Sequence, residues 1–219
     1  MNRRDIAMTK SLSAFLSAAA LALCAALPAH AATVVDTGAP DGVAVGSYAF
    51  DGSDWYAAQV SFAGASAIDA IMGHVLGGTA GETFTISLYA DDGANLPGTA
   101  LYTATATFGS DGWNGVSGLS GWSVGAGAYW VGLEIQCTDT LGSAGVTGAL
   151  LDQGAPAPLA QWAWDSTGGF GYDALGGTSI GLRVDASAVS AVPWPASGPL
   201  MLAGLALLAG VAGARRRPR

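Results

Sequence analysis

Apolar and polar residues alternate along much of the chain between residues 50 and 185. In the segment 83–89, Phe84, Ile86 and Leu88 fall on one side of an extended backbone, and threonine, serine and tyrosine fall on the other. Alternation of this kind, bounded by Gly, Asp or Pro, is typical of strands and turns. It predicts strands at 55–62, 67–76, 83–89, 100–108, 128–137, 160–164 and 179–184.

The fold that follows from this pattern is an all-β domain. Seven short predicted strands without a helical segment favour an antiparallel β-sandwich, of either the jelly-roll or the immunoglobulin-like type. Glycine, alanine, threonine and serine dominate the segment, and common helix formers are scarce. We place the domain at residues 32–187, a length that suits a single folded unit.

The N-terminus predicts an export signal. Arg3, Arg4 and Lys10 precede an apolar stretch at 12–27. Ala29 and Ala31 then supply the small residues that signal peptidase requires just before its cleavage site. Residues 1–31 are therefore predicted to be a signal peptide that is removed after Ala31, and the protein is expected to be exported.

The C-terminal segment 188–219 combines a short motif, an apolar stretch and a basic end. In order these are Val192, Pro193, Trp194, Pro195 and Ala196, then residues 198–214, then Arg215, Arg216 and Arg217. About 17 apolar residues form roughly 25 Å of helix, slightly less than the ~30 Å hydrocarbon core of a membrane. Arginines behind such a helix stay on the cytoplasmic side and stop transfer. The alternative that physics alone leaves open is a permanent membrane anchor with a single span.

This motif, helix and basic tail together resemble the PEP-CTERM class of sorting signals in its VPLPA-type variant, with Trp194 at a position that usually holds leucine. In that family an exosortase cuts at the motif and releases or transfers the mature protein. The resemblance implies two processing partners, signal peptidase and an exosortase-type enzyme. It also implies transient anchoring in the inner membrane through the helix, and a final location at the cell surface or outside the cell.

Charge excludes one class of function. The segment 32–190 holds 15 of the 16 acidic residues, whereas its one basic residue is Arg183, so its formal charge is −14. Such a surface repels nucleic acid and anionic lipid headgroups. We therefore expect no nucleic-acid partner.

The segment 32–190 contains few side chains able to carry out catalysis. His74 is the one histidine of this segment, and no G-x-S-x-G motif accompanies it. Cys137, its one cysteine, is expected to be a buried thiol, with an intermolecular disulfide as the alternative. Glu134 is the best candidate for a glycosidase carboxylate, but the alternation predicts that it lies on the solvent face of its strand. No catalytic residue and no cofactor are therefore predicted.

Two sets of residues are candidates for binding. Asp91, Asp92 and Asn95 place calcium-type oxygen ligands in one loop, although hairpin-turn chemistry also explains each of them. Trp162, Trp164 and Tyr172 are candidates for stacking on sugar rings. Packing in the core or at an edge is the alternative for the two tryptophans.

The function that these observations favour is non-enzymatic. We expect a structural or adhesive component of an exopolysaccharide or biofilm matrix. The alternative is a carbohydrate-binding module, with or without calcium, whose partner is extracellular polysaccharide. A glycan-cleaving hydrolase ranks third.

Overall fold

The computed structural model describes residues 31–38, 47–142, 148–151, 161–169, 171–175 and 180–189. Within these residues the backbone forms thirteen strands and no helix. In chain order the strands are β1 (Ala32–Asp36), β2 (Ser47–Phe50), β3 (Trp55–Phe62), β4 (Ser66–Leu76), β5 (Thr83–Asp91), β6 (Pro97–Thr107), β7 (Gly112–Ser117), β8 (Ser123–Val124), β9 (Gly127–Glu134), β10 (Gly148–Leu151), β11 (Trp162–Asp165), β12 (Asp173–Ala174) and β13 (Leu182–Ala188).

The strands form two antiparallel sheets. The first sheet has the order β1-β13-β4-β10-β2, and β7 and β8 pair with β4 as well. The second sheet has the order β12-β11-β3-β9-β5-β6. The long strand β4 pairs with β13 over residues 66–73 and with β7 over residues 70–75, so these partners occupy opposite edges of it. The prediction of an all-β fold with antiparallel sheets is confirmed.

The core lies between the inner faces of the two sheets. Phe84, Ile86 and Leu88, which the alternation placed on one side of the strand, are fully buried there. Phe50 of the first sheet packs edge-on against Phe84 of the second, with ring centroids 5.8 Å apart. Burial of such side chains supplies most of the favourable free energy of a sandwich, because this apolar area leaves water on folding.

A glycine sets the spacing of the sheets at one point. Gly73 of β4 faces Leu133 of β9, and a Cβ atom added at Gly73 would lie 2.6 Å from the Leu133 Cδ1 atom. Real side chains do not approach so closely, so any larger residue at this position would force Leu133 to move from its place in the core.

The seven predicted strands correspond to β3, β4, β5, β6, β9, β11 and β13, with shifts at their ends. The segment 55–62 coincides with β3, whereas the segment predicted at 128–137 ends early, at Glu134, because residues 136–139 form a turn. The sequence pattern missed β1, β2, β7, β8, β10 and β12, which are six residues long or shorter.

The predictions for the two ends of the chain lie outside the described residues. These are the signal peptide with Ala29, the motif at 192–196, the apolar stretch at 198–214 and the arginines at 215–217. In the part of the chain that the structure describes, no helix has the length and apolarity needed to cross a bilayer.

Candidate functional site

An open cleft of about 510 Å³ lies at the end of the second sheet where β3 begins and where β9 and β11 end. Its lining comes from three chain segments: the start of β3 with Trp55, the turn 136–139, and Gly168 and Gly169. These segments are far apart in the sequence, and the antiparallel order β11-β3-β9 brings them to the same end of the sheet.

The aromatic wall of the cleft is Trp55, which is half-buried. Its indole Nε1 donates a hydrogen bond to the backbone oxygen of Ile135 at 3.2 Å, which fixes the ring plane. Gly169 lies against the ring with a φ of +109°, and a Cβ atom there would be 2.7 Å from the ring carbon Cη2. Both the backbone conformation and the space therefore require glycine at this position.

A buried carboxylate fixes the second wall, the glycine loop (residues 166–169 and 171). Asp165 is 1% exposed and accepts hydrogen bonds from the Thr167 N–H at 2.7 Å and the Thr167 hydroxyl at 2.6 Å. It also accepts from the N–H groups of Gly169 and Gly171, both at 3.0 Å. Burial raises the pKa of Asp165, but these hydrogen bonds outweigh burial and leave the pKa below its ordinary value of 3.8.

The third wall is the turn 136–139, which is closed by reciprocal hydrogen bonds. The Asp139 N–H donates to the Gln136 backbone oxygen at 2.9 Å, and the Gln136 N–H donates to the Asp139 Oδ2 atom at 2.8 Å. The hydroxyl of Thr85 donates to the same Oδ2 atom at 2.8 Å. The side chain of Asp139 is thus held in one orientation, half-buried at the cleft.

Cys137 lies in the same turn and is an exposed free thiol. The prediction of a buried thiol is wrong, because β9 ends before it and the chain turns outward.

Behind the cleft, Glu134 holds a hydrogen-bond network on the outer face of the second sheet, the face turned away from the first sheet. It is 0% exposed. Its Oε2 atom accepts from the Ser87 hydroxyl at 2.9 Å and the Gln136 Nε2 atom at 2.8 Å. Its Oε1 atom accepts from the Tyr172 hydroxyl at 2.9 Å and from the Tyr89 hydroxyl. Burial of a carboxylate costs free energy unless its oxygen atoms accept hydrogen bonds, and here four donors satisfy it.

The two tyrosines keep their protons and act as donors. Burial, reinforced by the nearby Glu134 carboxyl, raises the pKa of both Tyr89 and Tyr172 above the ordinary value of 10. The prediction that Glu134 lies on a solvent face is therefore wrong: the alternation of β9 does turn it outward, but the chain around Tyr172 covers it.

The three aromatic residues predicted to bind glycans do not share a surface. Trp162 and Trp164 pair in register with Ala58 and Tyr56 of β3 and pack against the core between the sheets. Trp162 is buried, and the Trp164 Nε1 atom donates to the Asp54 Oδ1 atom at 2.9 Å. Tyr172 packs instead with the cluster of Ala57, Trp130 and Ala163 on the outer face.

In the predicted calcium loop, the carboxylates organise the turn. Asp91 accepts from the Gly93 N–H at 2.8 Å and from the Trp130 Nε1 atom at 2.9 Å. Asp92 accepts from the Ala94 N–H at 2.7 Å, and Asn95 has a φ of +63°. The bond from Trp130 is the largest of the effects that lower the pKa of Asp91. No group of three or more His, Cys, Asp or Glu residues suited to a metal occurs among the described residues.

Sequence reasoning did not single out the residues of the cleft. Trp55 is one of seven tryptophans, and nothing in its own segment distinguishes it from a core residue. The one local signal was the glycine run at 168–171, since a run of glycines marks a place where backbone approaches another group closely.

Comparison with known proteins gives little. No protein-family model matches the chain, and no curated protein matches it. Among solved structures, the chain is similar to the crystal structure of the cysteine protease and lectin-like domains of Cwp84, a surface layer associated protein of Clostridium difficile, with 11% identity and a TM-score of 0.46. The match covers 62% of this chain and 32% of that one, so it spans about a third of that chain. A likeness at this level assigns neither an activity nor a ligand.

Proposed function

We propose that the protein is a non-enzymatic, glycan-binding component of an exopolysaccharide matrix, and that it binds glycan in the Trp55 cleft. The observation that carries the proposal is the cleft itself, in which an oriented indole is flanked by two loops that carboxylates hold in place. Binding sites in which the protein groups are fixed beforehand lose less conformational entropy when the ligand enters.

The chemistry of the lining suits a sugar. The CH faces of a pyranose ring are apolar and stack on an aromatic ring, whereas its hydroxyl groups need polar partners at the edge. Trp55 provides the aromatic ring for stacking, and Gln136 and Asp139 provide polar partners for the hydroxyl groups. Ligand sites of this general composition, apolar surface with a few fixed polar groups, are common in proteins.

The arrangement of carboxylates favours binding over hydrolysis. A glycosidase uses two carboxyl groups that face each other across the scissile bond. Among the described residues, Asp139 is the one carboxylate in the cleft lining. Glu134 and Asp165 are buried behind the walls, where their oxygen atoms accept hydrogen bonds from the protein.

For the sandwich itself we propose the jelly-roll arrangement. An eight-stranded jelly roll is built from two Greek keys and divides its strands between two sheets. Here β1-β13-β4-β7 on the first sheet and β3-β9-β5-β6 on the second give two sets of four strands whose connections repeatedly cross between the sheets. The remaining strands are short additions at the edges and ends of these two sets.

Truncation of the indole tests the site. Trp55→Ala in the purified chain is expected to weaken binding to an oligosaccharide panel of neutral, amino and acidic sugars at least tenfold. Loss of a central aromatic anchor costs roughly 2 kcal/mol or more. Isothermal titration calorimetry measures the affinity, and a thermal melt confirms that the variant is folded.

Trp164→Ala is the matched control, since Trp164 is also half-buried and lies in the same sheet but packs toward the core. It is expected to retain binding. If Trp164→Ala abolishes binding and Trp55→Ala does not, the binding site lies at Trp164 and the cleft proposal is wrong. If no oligosaccharide binds the unaltered protein, the glycan-binding function is wrong.

We further propose that both ends of the chain are processed during export to the cell surface. The support is the signal-peptide pattern with Ala29 and Ala31, together with the C-terminal motif at 192–196 and its helix and arginines. Intact mass of the protein from its native host is expected to correspond to a chain that begins at Ala32 and ends within 192–196. A mass that includes Arg219 would instead identify the tail as a permanent anchor.

A further inference from the structure

We infer that the cleft recognises a glycan that carries free amino groups, that is, a polymer of positively charged amino sugars. The inference rests on the proposed glycan-binding function and adds the class of sugar. It depends on which hydrogen-bonding groups the cleft offers and on where the positive charge of the domain lies.

Two side chains of the cleft lining, Asp139 and Gln136, offer hydrogen-bond acceptors. The Asp139 Oδ2 atom is occupied by the Gln136 N–H and the Thr85 hydroxyl, and its Oδ1 atom has no partner among the described residues. The Gln136 Nε2 atom donates to Glu134, which leaves the amide oxygen of Gln136 without a partner in the same part of the chain. Because Glu134 accepts four hydrogen bonds, it fixes this amide with its nitrogen toward the carboxylate.

A ligand rich in donors matches such a lining. An ammonium group is a compact donor of three hydrogen bonds and carries a full positive charge, and a hydrogen bond between opposite charges is stronger than a neutral one. The face of Trp55 adds to this preference, because an indole ring attracts a cation through its π electrons.

Acidic glycans do not match the lining of the cleft. A uronate, sulfate or phosphate group is bound most strongly by cationic side chains, whereas the segment 32–190 contains no lysine and has a formal charge of −14. Its one arginine, Arg183, lies in β13 of the first sheet. There it pairs with Asp36 at 3.1 Å and stacks 4.5 Å above the Trp113 ring. No cation of the described residues lines the cleft.

The test compares oligosaccharides that differ only at the amino group. A glucosamine hexamer, its fully N-acetylated counterpart and a uronic-acid hexamer are titrated into the full chain by calorimetry, at about pH 5.5, where an amine carries its proton. About 150 mM salt screens the diffuse charge of the domain. The glucosamine hexamer is expected to bind about tenfold more tightly than the acetylated one, and the uronate is expected not to bind.

Asp139→Asn is the decisive variant, because it keeps a carbonyl oxygen for Gln136 and Thr85 but removes the charge. It is expected to lower the affinity for the glucosamine hexamer about tenfold and to leave the acetylated hexamer unaffected. Asp69→Asn is the matched control, since Asp69 is exposed on β4 of the first sheet and its loss changes the net charge equally. It is expected to bind like the unaltered protein.

The outcomes separate the two proposals. Equal binding of the amino and acetylated hexamers, with no effect of Asp139→Asn, overturns the amino-sugar inference and leaves the glycan-binding function standing. Equal losses in Asp139→Asn and Asp69→Asn also overturn it, because diffuse charge then accounts for the preference. Absence of binding to all three hexamers and to the neutral sugars of the wider panel overturns the glycan-binding function itself.

Discussion

Trp130→Ala is expected to lower the free energy of unfolding by about 3–5 kcal/mol, the range for truncation of a fully buried large aromatic residue. Trp130 is 0% exposed, although it lies on the outer face of the second sheet. It packs there with Ala57 of β3 and Ala163 of β11, whose small side chains leave room for the indole. Its N–H also donates to Asp91, so truncation removes both a large packing contact and a hydrogen bond to a carboxylate.

Urea or guanidinium denaturation of the purified protein measures this change. Trp130→Phe separates the two contributions, because phenylalanine keeps most of the aromatic packing and loses the bond to Asp91. A hydrogen bond to a charged group is worth about 2 kcal/mol, so this variant is expected to lose about that much. If Trp130→Ala loses less than the phenylalanine variant, the outer cluster does not contribute to stability in this way.

The strands could be predicted from the sequence because the alternation of apolar and polar residues indicates which side of a strand is buried. This reasoning placed β3 correctly to the residue and placed Phe84, Ile86 and Leu88 together on one side of β5, which is the side buried in the core. It missed strands such as β7, in which glycine occupies positions that would otherwise show the alternation. At such positions the backbone pairs but no side chain reveals its face.

The same rule misjudged the outer face of the second sheet. Alternation predicts solvent exposure for polar residues between apolar ones, and it did so for Glu134, yet Glu134, Ser87 and Asp165 are all buried. Their burial depends on chain segments that return over the sheet from distant positions in the sequence, such as the one that carries Tyr172. A single-strand pattern contains no information about these segments, so the site was not predictable even though the strands were.

The tryptophans also show what the pattern of a single strand cannot predict. A spacing of two residues correctly placed Trp162 and Trp164 on one face of a strand. It could not tell which face meets the other sheet, because both faces of β11 carry buried residues: Trp162 is on one, and Ala163 and Asp165 are on the other. The aromatic residue that lines the cleft, Trp55, became identifiable only through its contact with Gly169, which is more than a hundred residues away.

Glu134→Ala is expected to have the second largest effect, a loss of about 3 kcal/mol in the free energy of unfolding. The substitution leaves the hydroxyls of Ser87, Tyr89 and Tyr172 and the amide of Gln136 without their common acceptor. Each buried donor without a partner costs about 1–3 kcal/mol, and partial access to water reduces the sum for the half-buried tyrosines. The network joins β5, β9 and the segment at Tyr172, so its loss is also expected to release the Gln136 amide at the cleft.

Tyr172→Phe and Glu134→Gln make this prediction specific to the carboxylate. Tyr172→Phe removes one donor and keeps the acceptor, so it is expected to cost about 1 kcal/mol and to leave glycan binding unchanged. Glu134→Gln keeps one carbonyl acceptor, so its stability is expected to fall between those of the other two variants. Only Glu134→Ala is expected to weaken glycan binding by the folded protein, because it alone removes the group that orients Gln136. Equal, small losses of stability in all three variants would show that the four donors find other partners. The walls of the cleft would then be held by Asp165 and Asp139 without help from Glu134.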